Sequence, residues 1–232
     1  MQFVAVELEP CCLRCGLLVL LLLSVYPAAA DDVTLIPAQC MTAVANPLTH
    51  KVYCASQGIV VLDGATNTVI KTIEVGDISN TGIHKLALNP TAERLYGIDN
   101  KLPANVVVVD TATDSLLTTI PTVGGAGYGI AVNRVLNRIY VGYMLTRELA
   151  VIDGNTNTVI QTVDLGNKRP NEVAVNSATN HIYVSFATFD GVYDGPPYGL
   201  LVLDGTSLSV IESLPMVSAA NRISVNETTQ QV

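Results

Sequence analysis

Cys12 and Cys15 stand in Cys-x-x-Cys spacing, which suits thiol redox chemistry or half of a zinc site. His50, His84 and His181 are the only imidazoles. The run Gly124-Gly125-Ala126-Gly127-Tyr128-Gly129 is glycine-rich but misses the spacing that cradles a dinucleotide. A mixed polar set, His84, Lys85, Tyr128, Asn171, Glu172 and Arg222, has the donors and acceptors of a ligand site. Phe189 and Tyr193 lie in a long loop and are candidate aromatic anchors. No Gly-x-Ser-x-Gly, His-Glu-x-x-His, P-loop or Cys-x-x-Cys-His occurs. These eight residues are therefore read as ligand-binding candidates, with no catalytic residue, metal site or cofactor assigned.

The elements that would position them come from a tandem repeat. Asn46, Asn89, Asn133 and Asn176 each precede a tyrosine (Tyr53, Tyr96, Tyr140, Tyr183) by the same interval. The tyrosines recur about every 43 residues. A Lys, Arg or His stands two places before each tyrosine. An apolar run then ends in Asp63, Asp110, Asp153 or Asp204, and a small polar turn leads into a further β-rich run. Each unit thus holds four short strands, A to D. In the third unit they are expected at 130–133, 138–142, 149–153 and 159–164.

Four antiparallel strands per unit, in tandem, is the pattern of a β-propeller blade. The expected fold is all-β, with blades at about 41–82, 83–127, 128–169 and 170–220. A fifth unit starts at 221–232, and its tyrosine would fall just past Val232. The array is therefore expected to be an incomplete part of a larger ring. The segment 33–37 resembles a strand D. Asp-Gly pairs read as tight turns, because they lack the alternating carboxylates of a calcium loop.

Of the 232 residues, 49% are hydrophobic and 14% charged, enough apolar surface for a substantial core. The net charge is -8 and no basic run exists, which disfavours nucleic acid as a partner. Residues 15–30 are almost continuously apolar and end in Ala28-Ala29-Ala30, an expected signal peptide over 1–30. Its removal would take away Cys12 and Cys15, leave no membrane span, and leave Cys40 and Cys54. An oxidising compartment permits a disulfide between these two, while their offset positions in one predicted hairpin disfavour it.

The third unit, from Ile130-Ala131-Val132-Asn133 through Arg138-Ile139-Tyr140-Val141 to Val151-Ile152-Asp153-Gly154-Asn155-Thr156-Asn157-Thr158-Val159-Ile160, resembles the YVTN β-propeller repeat family. The resemblance covers residues 41–232, although no unit has the full Tyr-Val-Thr-Asn. It implies an exported or surface-exposed propeller, commonly of seven blades, placed in the periplasm, at the cell surface or outside the cell.

In such a fold the B–C and D–A loops share the face where strands A start. The span from Tyr to Asp varies there: 53–63, 96–110, 140–153 and 183–204. Loops on a rigid scaffold are where binding concentrates. The reading is a non-enzymatic scaffold for an unknown protein or small molecule on this face. The alternative is a lactonase-type hydrolase with a metal in the channel, for which Glu172 is the one carboxylate at a strand A start. An accessory propeller for a redox partner is a third reading.

Overall fold

The computed structural model describes residues 40–76, 82–99, 101–188 and 197–232. The expected signal peptide, the segment 33–37, Phe189 and Tyr193 lie outside the described residues. Sixteen strands form four antiparallel four-stranded sheets among the described residues. The first holds β1 (Thr42–Asn46), β2 (Lys51–Ala55), β3 (Ile59–Asp63) and β4 (Thr68–Ile73). The second holds β5 (Ile83–Asn89), β6 (Arg94–Asp99), β7 (Asn105–Asp110) and β8 (Ser115–Pro121). The third holds β9 (Gly127–Asn133), β10 (Arg138–Tyr143), β11 (Glu148–Asp153) and β12 (Thr158–Asp164). The fourth holds β13 (Arg169–Asn176), β14 (His181–Ala187), β15 (Tyr198–Asp204) and β16 (Val210–Met216).

Strand composition follows position in the sheet. β7 reads Val106-Val107-Val108-Val109 because both its faces are covered, so no polar alternation is needed. Strand D lies outermost, and β4 and β12 are exposed along most of their length. Apolar faces meet between consecutive sheets. Tyr53, Val61 and Ile73 pack with Ile83, Leu95 and Val107. Tyr96, Val106 and Val108 pack with Ile139, Val141 and Ile152. Tyr140, Leu149 and Val151 pack with Ile182, Val184 and Leu203. Each fully buried aliphatic side chain contributes about 1.5–3 kcal/mol, which no single sheet can collect alone.

The repeated residues hold these sheets together at the A–B and C–D turns. Asn89, Asn133 and Asn176 are buried, and their side-chain oxygens accept backbone N–H groups two or three residues on. Their amides donate to the next unit: Asn89 to Asn137 (2.9 Å), Asn133 to Asn180 (2.9 Å) and Asn176 to Gln230 (2.7 Å). Two of the tyrosines reach the same way. Tyr53 donates to Asp114 Oδ1 at 2.8 Å, and Tyr140 OH lies 3.5 Å from the Gly205 carbonyl.

The Asp-Gly pairs are turns, with a finer reason than a special backbone angle. The left-handed residue in these turns is Asn67, Asn157 or Leu208, not the glycine, and Asp114 takes the same place in the second unit, where Thr111 stands for the glycine. Gly64, Gly154 and Gly205 donate N–H to the carbonyls of His50, Asn137 and Asn180, each at 2.8 Å. A Cβ on them would stand 2.5–2.7 Å from those oxygens, so the close approach excludes a side chain.

Three features differ from the sequence reading. Strand A of the third unit begins at Gly127, so half of the glycine-rich run is strand rather than turn. Cys40 and Cys54 are joined in a disulfide with Cα atoms 5.4 Å apart. The ladder starts at Thr42, opposite Ala55, so Cys40 lies beyond the last rung and folds back across to Cys54. Residues 221–232 make one bridge, Asn226 to Gln231, around the A–B turn, and the expected strand A there is not formed.

Candidate ligand-binding site

Strands β5, β9 and β13 share an irregularity that alternating patterns do not announce. Each has a β-bulge one or two rungs from its start, where the ladder skips a residue. The extra residue is His84 in β5, Tyr128 in β9 and Asn171 in β13. All three stand at the same place in the repeat. A regular strand would turn successive side chains to opposite faces. The bulge disrupts that alternation, so His84-Lys85 and Asn171-Glu172 are re-aimed as pairs. β1 pairs with β2 without a bulge, and the Cys40–Cys54 disulfide sits there instead.

The bulges bring four of the eight candidates together. Lys85 Nζ donates to Glu172 Oε2 at 2.6 Å, joining the second sheet to the fourth past the third. In the third unit the equivalent position is Gly129, whose Cβ would stand 2.5 Å from the Val173 nitrogen. That close approach lets β9 and β13 pack backbone to backbone. The His84 and Tyr128 rings meet edge to face, centroids 5.5 Å apart.

Glu172 is 9% exposed and is held by Ser185, whose Oγ accepts the Glu172 N–H at 3.1 Å and donates to the Ala220 carbonyl at 2.8 Å. Asn171 Nδ2 donates to the Ala220 carbonyl and to Asn221 Oδ1, both at 3.0 Å. Arg222, the next residue, is exposed.

Burial, with the Lys85 charge beside it, pushes the His84 pKa below its ordinary value, so this imidazole is neutral near pH 7. Its Nδ1 is buried with no hydrogen-bond partner, one of four such side-chain atoms among the described residues. The residue pattern did not reveal Ser185 as a support for Glu172; it reads as an ordinary small strand residue until β13 and β14 are seen paired. Among the described residues no three metal-ligating side chains converge. His50 and His181 lie at the A–B turns, away from His84.

No family model matches the sequence, and no curated protein matches it. In three dimensions the chain is similar to the hydrazine synthase of Kuenenia stuttgartiensis, with a TM-score of 0.67 and 17% identity. The match covers 82% of this chain and 53% of that one, so the chain spans about half the length of the structure it matches. A likeness at this identity is one of fold. Together with the four stacked sheets it defines the class: a β-propeller array of four blades, not closed into a ring.

Proposed function

We propose that this chain is an exported propeller of YVTN type that works as a binding scaffold, not as a hydrolase. The observation that carries the reading is the Lys85–Glu172 pair. A lactonase-type channel needs a carboxylate free to hold a metal. Here the one strand A carboxylate is largely buried, paired with the Lys85 ammonium and accepting the Val173 N–H. A paired, desolvated charge is a poor metal ligand, because coordination would strand its partner. The apolar stretch ending at Ala30 and the Cys40–Cys54 disulfide support export to an oxidising compartment. Among the described residues no helix is long and apolar enough to cross a membrane.

Two measurements test this. Mass spectrometry of the secreted protein should give an N-terminus at Asp31. Metal analysis with a lactone-hydrolysis assay should give neither a stoichiometric divalent ion nor turnover. Hydrolysis that stops on chelation and returns with metal would replace the scaffold reading by the hydrolase one.

A further inference from the structure

We infer that the bulged starts of β5, β9 and β13 form a site for a neutral, polyhydroxylated ligand, a saccharide in chemical class, with Lys85, Tyr128, Asn171 and Glu172 as its contacts. The inference rests on the scaffold reading and deepens it.

Charge comes first. Of the four proposed contacts one is a cation and one an anion, already joined at 2.6 Å. An anionic ligand would have to take Lys85 from Glu172, and a cationic one the reverse. Either leaves a largely buried charge without a partner, which costs more than the new contact returns. His84 adds no charge at neutral pH. The pair still has unused capacity: an ammonium has three donors and a carboxylate about four acceptor positions. Hydroxyl groups can use both at once, because each donates and accepts.

Shape points the same way. Tyr128 is half-buried and meets the His84 ring edge to face, which places one aromatic body at the bulge of β9, the strand that packs against both β5 and β13. A sugar ring offers C–H bonds to an aromatic surface and hydroxyls to the charges around it. Asn171 is oriented by Ala220 and Asn221, and its side-chain oxygen has no partner among the described residues. The equivalent positions differ from unit to unit, Thr42, Lys85, Gly129, Glu172 and Arg222, while the turn residues repeat. A packing requirement shared by all blades would have kept them alike.

The test is saturation-transfer NMR followed by calorimetry on the full chain. The probes are cellobiose, maltose and diacetylchitobiose, with glucuronate and glucosamine as charged controls. At least one neutral probe should bind at millimolar concentration or tighter, and more tightly than either charged sugar. Tyr128→Ala and Glu172→Gln should each weaken it by about ten-fold, the worth of one good contact. Tyr128→Phe, which keeps the ring, should retain most of the binding, and circular dichroism should confirm that each variant folds. Silence from all three neutral probes, tighter binding of a charged sugar, or unchanged affinity in folded Tyr128→Ala would overturn the inference. None of these touches the scaffold reading, which fails only on metal-dependent turnover.

Discussion

The two ends of this molecule are held by different means. At the A–B and C–D turns every unit uses the same residues: a buried Asn, a buried Tyr and an Asp whose side chain closes the turn. At the strand A starts each unit has its own device: a disulfide in the first, and bulges bearing different side chains in the second, third and fourth. The turn end solves one packing problem four times. The other end is free to differ because the turn end already holds the sheets in place.

Perturbing each end in turn should sharpen this contrast. The largest effect is expected at the disulfide, which spans a sequence separation of 14. Cys40→Ser should cost about 3 kcal/mol in urea unfolding, chiefly by loosening the unfolded chain. Melting that is unchanged by reductant would show that β1 is held without it.

Next comes a matched pair of asparagines. Asn133→Ala removes two turn hydrogen bonds and the link to Asn180, and should cost about 2–3 kcal/mol. Asn171→Ala at the opposite end should cost under about 1 kcal/mol, since its amide bonds only to residues at the edge of the array. Equal losses would break the distinction between the two ends.

Within the turn end itself, Tyr53 and Tyr96 should part company. Tyr53 donates to Asp114, which also meets Lys51 at 2.5 Å. Tyr53→Phe should cost about 1–2 kcal/mol. Tyr96 is buried, its pKa is pushed up to about 12 by burial, and its hydroxyl has no partner. Tyr96→Phe should therefore be neutral or slightly stabilising in the same assay.

The smallest effects concern pH. His84 has a folded pKa below its ordinary 6.5, so the folded state binds fewer protons there. Its contribution is present above 6.5 and is lost as pH falls through the depressed folded value. Asp110 follows at lower pH. The Thr113 N–H holds its carboxyl below the usual 3.8, aided by Ala112 and Arg94, so its contribution also disappears on acidification. Stability should thus decline in two acid steps, and His84→Phe should erase the upper one. A single step unaffected by that substitution would assign the upper transition elsewhere.

How much of this was legible from residue order varies by element. Strands β10 to β12 fall within a residue of where periodicity put them, because alternation and the Asp-Gly turn are local signals. Strand β9 starts three residues earlier than expected, since a bulge breaks the alternation that locates strands. His84, Lys85, Tyr128, Asn171 and Glu172 are legible as polar residues at the strand A starts, but their contacts are not. The meeting of Lys85 with Glu172 depends on how β9 spaces the second sheet from the fourth, which no local pattern encodes. Cys40 and Cys54 looked offset on a hairpin drawn flat, and they meet because the chain folds back beyond the last rung.

Residue order alone determined the repeat, the four-strand units and the turn chemistry, because these depend on neighbours within a few residues along the chain. The tertiary structure alone decided which side chains share the strand A end, because bulges and close backbone approach at Gly129 act between strands far apart in sequence. Periodicity records which face a residue serves, and only packing of sheet against sheet determines which residue it meets there.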